Sequence, residues 1–359
     1  MDYMTVLRKI TAVMICAAFL MIPAAVWAEE SPAPAAPEET PAALAETPDP
    51  ADNPVSTPEP TPTPVPTPEP TPTPVPTATP VPPPKGSLFR VHQINIGCAN
   101  AYLLTVDDLV MMVDCGTNTQ TPIANRIPNH MLFDYLAGAG IDHIDVFFIT
   151  HWHRDHCYNL NLLLETYGSD ASVVYGPGAT VNKELDPLSA GTYRQIIDGD
   201  RLTIGPLGVQ CVGPEYREDL TGNRNPESLN LIFTYGETRF FFSGDWLDSS
   251  VRKRWGEEIL QMDVLAFPHH GLEPLCMTKN VYRDMDPRLV LVPGQVRYTA
   301  RNFAADSLGV RARDLDTVIL TTADGNVLVS SDGSILWYAI NVDPADLPLG
   351  DPLPARKER

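Results

Sequence analysis

Residues 150–157 read T-H-W-H-R-D-H-C, which places three histidines and an aspartate within six positions. The whole chain has only eight histidines. Imidazole and carboxylate are the donors that divalent ions of intermediate hardness prefer, so the crowding points to a metal site. A chance polar turn is the competing reading, and the flanking segments decide between them. Ahead runs I-D-V-F-F-I-T, 144–150, short, β-branched and aromatic as a buried strand requires. Behind runs C-Y-N-L-N-L-L-L-E-T, whose leucines suit a helix packed on a sheet. The ligands are therefore expected in a strand-to-helix turn, with Asp155 and His156 near the helix start.

Two further apolar runs end in the same chemistry. L-N-L-I-F-T-Y, 229–235, and R-F-F-F-S-G-D, 239–245, read as a hairpin whose return strand delivers Asp245. M-D-V-L-A-F-P-H-H-G, 262–271, reads as a strand that delivers His269 and His270. Loops at strand ends on a rigid sheet are where α/β proteins place chemistry. Three separate strands ending in Asp or His make a chance turn a poor account of 150–157.

H-W-H-R-D-H, 151–156, matches the H-x-H-x-D-H signature of the metallo-β-lactamase superfamily. The order of segments over 88–335 resembles one branch of it, the extracellular hydrolase-like domain of ComEC-type competence proteins. L-F-R-V-H-Q-I-N-I-G-C-A-N-A-Y-L-L is similar to its opening strand pair, and V-M-M-V-D-C-G carries the early Asp-x-Gly at Asp114 and Gly116. P-H-H-G resembles the branch's double-histidine turn, and V-I-L-T-T-A-D-G-N-V-L-V-S-S-D-G-S-I its final hairpin. The resemblance implies a four-layer αββα sandwich of the α/β class with a dinuclear site on one edge. It implies that His151 and His153 hold one metal, Asp155 and His156 the other, that Asp245 bridges both, and that His269 or His270 completes a shell. Asp114 is then expected to orient the shell rather than ligate.

The chain also departs from the pattern. No histidine lies between 156 and 245, where many members of the superfamily have one, and none follows 270. Cys157 and Tyr158 stand where glycines are usual, and Asn100 replaces an acid in G-C-A-N. These departures leave open two metals with water filling the gaps, use of both His269 and His270, or a single metal.

Zn2+ is the leading ion, two per chain, with Mn2+ or Fe behind it. A divalent ion lowers the pKa of bound water from 15.7 to about 7, which gives a metal-bound hydroxide at neutral pH. Asp155 and Asp245 are the residues placed to accept a proton or orient that water. The expected activity is metal-dependent hydrolysis of a phosphoester or phosphodiester, in a small molecule or a polymer, the substrates linked with the resembling branch. Two other readings stay beside it: a surface-displayed binding module with a degenerate metal site, and a nuclease-like competence accessory.

Elsewhere the chain is organised by composition. Residues 1–28 read as a secretory signal, with an uncleaved membrane anchor as the rival reading: Arg8 and Lys9 precede the apolar run Ile10–Ile22, and small residues run up to Ala28. Residues 29–85 form a disordered Pro/Thr-rich linker that repeats T-P-E-P-T-P-T-P-V-P at 57–66 and 67–76. Alternating proline removes donors and fixes φ, which excludes helix and sheet. Such a tract favours extended polyproline II, with a reach above roughly 100 Å. That suits a domain standing off a membrane or through a cell wall, hence a secreted or cell-surface location. The domain is expected over 86–340, with a polar tail at 341–359. It carries 22 basic against 35 acidic residues over 86–359, a net −13, and no basic run. That balance argues against coating nucleic acid, which needs phosphate neutralisation, and does not exclude a local phosphate site. Cys98, Cys115, Cys157, Cys211 and Cys276 have no framework spacing and are expected as mostly free, buried thiols.

Overall fold

The computed structural model describes residues 86–117, 130–178, 188–247, 249–271, 276–294 and 317–356. The signal-like segment and the proline-rich linker lie outside these residues. So do 118–129, 179–187 and 295–316.

The strands in chain order are β1 (Phe89–Gln93), β2 (Ala101–Val106), β3 (Leu109–Cys115), β4 (Val146–Phe148), β5 (Val173–Gly176) and β6 (Thr192–Gln195). Then come β7 (Arg201–Ile204), β8 (Leu207–Cys211), β9 (Leu231–Tyr235), β10 (Thr238–Phe242), β11 (Val264–Ala266) and β12 (Leu289–Val292). The last are β13 (Val318–Thr321), β14 (Val327–Ser331), β15 (Leu336–Ala339) and β16 (Asp351–Pro352). The described helices are α1 (His130–Gly138), α2 (Arg154–Cys157), α3 (Leu160–Tyr167), α4 (Ser249–Trp255) and α5 (Lys279–Met285). One sheet has the order β16-β15-β14-β1-β2-β3-β4-β5-β6, the other β13-β12-β11-β10-β9-β8-β7.

Period-two alternation sorts the side chains into three apolar cores. Phe89 and Val91 of β1, Tyr102 and Leu104 of β2, and Phe240 and Phe242 of β10 point between the sheets. Their neighbours point outward. Leu103, Met112 and Phe147 pack against Leu132 and Leu136 of α1 and Leu160 and Leu163 of α3. On the far side Phe241, Leu265 and Val290 pack against Val251 of α4 and Val281, Tyr282 and Met285 of α5. Helices, sheet, sheet, helices: this is the four-layer αββα sandwich expected from the resemblance. Each large side chain fully buried in these cores contributes roughly 1.5–3 kcal/mol.

Within each sheet one run is parallel, β3-β4-β5-β6 in the first and β10-β11-β12-β13 in the second. Parallel runs align the C-terminal ends of their strands at one rim, where α/β proteins gather ligands. The 151–157 turn follows β4, Asp245 follows β10, and the 3-10 turn Pro268–Gly271 follows β11.

Two readings of the sequence change. The 318–335 segment is not one hairpin: β13 closes one sheet on β12, the chain crosses at Thr322–Asp324, and β14 inserts beside β1 in the other. Both halves are apolar, which looks like a hairpin until the pairing partners are known. The residues from 341 do not all stand apart as a polar tail. β16 pairs with β15, Leu353 is buried in the inter-sheet core, and Arg288 donates to the carbonyls of Leu353 and Pro354. The Arg154 guanidinium lies over the Tyr158 ring at 4.8 Å. His92 is structural: it is buried, with Nδ1 2.8 Å from the Tyr135 hydroxyl. Of the five cysteines among the described residues, Cys115, Cys157, Cys211 and Cys276 are buried.

Candidate metal centre

The turn after β4 is shaped by what it rests on. β3 ends in Asp114, which is fully buried, and Asp114 accepts from the Thr150 amide at 2.7 Å and the Thr150 hydroxyl at 2.8 Å. Its Oδ2 also accepts from His156 Nδ1 at 2.7 Å. Two residues on, a Cβ on Gly116 would lie 1.8 Å from the Asp155 carbonyl oxygen. Only glycine lets α2 sit this close to β3, and the Asn100 amide caps that same carbonyl at 2.8 Å. The early Asp-x-Gly thus anchors the ligand turn and orients His156, as expected of Asp114.

Asp245 lies at the centre, buried, with its two oxygens facing different partners. Oδ1 is 2.9 Å from His156 Nε2 and 3.7 Å from His270 Nε2. Oδ2 is 3.5 Å from His151 Nε2 and 3.8 Å from His269 Nε2. His270 Nε2 also lies 3.1 Å from Asp155 Oδ2. The donors fall into two sets whose atoms lie within 4.8 Å of one another: Asp155, His156, Asp245 and His270, and His151, His153 and Asp245. Asp245 belongs to both.

The other nitrogen of each imidazole shows why these donors suit a cation. His156 Nδ1 is bonded to Asp114, and His270 Nδ1 donates to the Pro293 carbonyl at 3.1 Å. His153 Nε2 donates to the Asn223 carbonyl at 2.9 Å. A carbonyl only accepts, so each proton is assigned away from the centre and a lone pair is left facing inward. In His156 and His270 that lone pair faces carboxylate oxygens, which is repulsive unless positive charge lies between. His151 Nε2, His156 Nε2 and Asp245 Oδ1 are all buried and complete no hydrogen bond, despite the 2.9 Å separation of the last two. Donors about 2.0–2.1 Å from an ion in a tetrahedron stand roughly 3.3 Å apart. The observed 2.9, 3.1, 3.5 and 3.7 Å bracket that edge, so the residues fit a divalent metal.

A proton on an imidazole can supply that positive charge as an ion can, and the ionisable groups respond to it. Burial alone would push the Asp245 carboxyl up, but His156, His151 and His270 hold it well below the usual carboxylate range. Burial works against charge on His156, yet the carboxylates of Asp245 and Asp114 raise it well above an ordinary imidazole. His151 goes the other way: burial, then the neighbouring His156, keep it well below. For Asp155, burial is outweighed by the His270 hydrogen bond and by His156, and its pKa is lowered.

His269 is placed differently. Its Nε2 lies near Asp245 Oδ2 and 3.3 Å from Asn225 Nδ2, outside both compact sets, and its side chain is 21 % exposed where that of His270 is 1 %. His269 and His270 both hold left-handed backbone, with φ of 51° and 53°. That costs non-glycine residues about 1–2 kcal/mol each. The turn aims the two adjacent rings at opposite oxygens of one carboxylate. Trp152 is buried, and its Nε1 donates to the Pro177 carbonyl.

Several residues at the site escaped the sequence reading. Ser228 Oγ lies 3.3 Å from His151 Nδ1 and accepts from the Asp245 amide at 3.0 Å. Asn223 acts through its backbone carbonyl, which leaves no mark in a sequence. Glu227, buried two residues after Asn225, is the third, and N-P-E-S just ahead of β9 was the available signal.

Residues 97–295 match the sequence profile of the Metallo-beta-lactamase superfamily. No curated protein matches the chain. Among solved structures, the chain is similar to the metallo-beta-lactamase fold protein YhfI from Bacillus subtilis at 14 % identity, covering 70 % of this chain and 100 % of that one, with a TM-score of 0.45. It is similar to a putative metal-dependent hydrolase from Parabacteroides distasonis at 16 % identity, covering 66 % and 93 %, TM-score 0.43. CmlA, a diiron beta-hydroxylase from Streptomyces venezuelae, aligns at 16 % identity over 66 % of this chain and 52 % of its own, TM-score 0.42. The match over 97–295, with the signature turn and the two donor sets in place, shows that the chain belongs to the metallo-β-lactamase superfamily of metal-dependent hydrolases.

Proposed function

We propose that the protein is an extracytoplasmic metallohydrolase that cleaves phosphoester or phosphodiester bonds with two zinc ions. The observation that carries this is the sharing of Asp245 between two donor sets, one oxygen to each side. Asp155, His156, Asp245 and His270 would hold one ion. His151, His153 and Asp245 would hold the other, with His269 as the added donor in place of the histidine absent between 156 and 245. Its support is the approach of Nε2 to the Asp245 oxygen that faces His151.

Bound there, the ions would supply a water acidic enough to attack at neutral pH and charge to offset that growing on the phosphoryl oxygen. Asp155 is the carboxylate that solvent reaches, 15 % exposed against 1 % for Asp245. It would orient the attacking water or accept its proton, while Asp245 would hold the two sets in register. The second nitrogens of His153, His156 and His270 meet acceptors, which fixes those rings' tautomer and direction before substrate arrives. The phosphoester preference, the ComEC-type branch and the placement outside the cytoplasm rest on the sequence resemblance and on the signal-like and proline-rich segments, which would also bring the domain to a membrane or cell-wall surface. Nucleic acid is the less favoured substrate, because the domain is acidic.

Metal content by mass spectrometry on the full chain, beside a panel of phosphomonoesters and phosphodiesters, tests the reading. About two metal ions per chain are expected, with both content and turnover falling in His151→Ala/His153→Ala. A chain that binds no metal after reconstitution with zinc and manganese would sink the enzyme and leave a displayed binding domain.

A further inference from the structure

We infer that Glu227 is a positioning residue for one half of the centre: it pins a strap, residues 213–228, whose backbone sets the ring of His153 and with it the His151 side. The inference rests on the two-set reading of the site. Glu227 is 1 % exposed, unusual for a carboxylate outside the ligand cluster. Its Oε2 accepts from the Thr221 amide at 3.2 Å and the Thr221 hydroxyl at 2.9 Å. Its Oε1 accepts from Arg224 Nε at 2.6 Å and also from Arg224 Nη2, with Arg217 Nη2 at 3.8 Å. One buried carboxylate thus closes 221–227 into a ring of charge-assisted bonds.

That ring presents its outer backbone to the ligand turn. The Gly222 carbonyl accepts from the Trp152 amide at 2.7 Å, and the Asn223 carbonyl accepts from His153 Nε2 at 2.9 Å. The fit is tight: a Cβ on Gly222 would lie 2.5 Å from Pro177 and 2.7 Å from Trp152. The same strap brings Asn225 to His269 and Ser228 to His151 and to the Asp245 amide. By contrast, the rings of His156 and His270 are set by Asp114 on β3 and the Pro293 carbonyl just after β12. A glutamine at 227 would turn an amide donor toward Thr221 or Arg224, which already donate, and the ring would open.

The test is Glu227→Gln in the full chain, read first without metal. Long-range proton–nitrogen spectra of 15N-histidine report which nitrogen of each ring carries the proton. In the parent, His153 is expected as the Nε2–H form. In Glu227→Gln, the His153 and His151 signals should shift to mixed tautomers while those of His156 and His270 hold. Four unchanged rings would overturn the inference. Four altered rings would also overturn it, since that is general loosening. In a zinc titration against a chromophoric chelator, one of two equivalents should weaken at least tenfold and the other stay. A parent chain that takes up a single zinc would instead remove the two-metal reading, and the histidine spectra alone would then decide the strap.

Discussion

His153 and His156 stand three positions apart in one turn, yet they are secured by different parts of the molecule. The ring of His156 leans on Asp114, a side chain at the end of a central strand, itself held by two bonds from Thr150. The ring of His153 leans on a backbone carbonyl in a loop, and that loop keeps its shape through a carboxylate. One half of the centre inherits the stiffness of the sheets, and the other inherits whatever stiffness Glu227 provides. Strand cores open only with global unfolding, whereas loops open locally at much lower free energy. The two halves should therefore differ in metal affinity and in the order in which they lose metal.

Asp245→Ala tests the comparison most severely, because it removes the one group both halves share. Metal content should fall from about two ions to near none, with turnover lost, by mass spectrometry and phosphodiester assay. Retention of one tightly held ion would show that a half can stand without the bridge. Asp114→Asn acts on the sheet-held half. An amide there has one acceptor oxygen, so it cannot serve the Thr150 amide on one side and the Thr150 hydroxyl and His156 on the other, and the buried partner left over loses a bond worth about 1–3 kcal/mol in stability. The affinity of that equivalent should drop roughly 10–100-fold, read by chelator competition, while the His151 equivalent holds. Ser228→Ala is the mildest of the three. It removes the hydroxyl beside His151 Nδ1 and the acceptor for the Asp245 amide. About tenfold weaker binding at the strap-held equivalent is expected, with a small change in thermal midpoint. Equal weakening of both equivalents would mean that Asp245 transmits the loss and that the halves are one unit.

The asymmetry also separates what the sequence discloses from what it hides. The donors themselves were legible, because each sits at the end of an apolar run and the 151–156 spacing is distinctive. Asp114 was legible as an orienting group through its Asp-x-Gly. The strap was not. Asn223 works through a carbonyl that every residue owns, and Glu227 reads as one more acid in an acidic chain until its burial is known. The roles of His269 and His270 could not be divided from P-H-H-G alone, since only the left-handed backbone sends the two rings to opposite oxygens. The layer architecture followed from the resemblance, while the crossing between β13 and β14 depends on partners distant in sequence and was misread as a local hairpin.

The insertion of β14 beside β1 has a bearing on how the protein is made. Phe89 pairs with Ser331 and Gln93 with Val327, so the earliest described strand waits for one of the last. During synthesis every ligand through His270 emerges while β1 is still an edge, its outward row of amides and carbonyls unpaired. Contacts this remote in sequence form late, after the cost of closing a long loop. A nascent chain would therefore carry these histidines and carboxylates before it has a finished sheet to aim them with, and metal acquisition would follow the entry of β14.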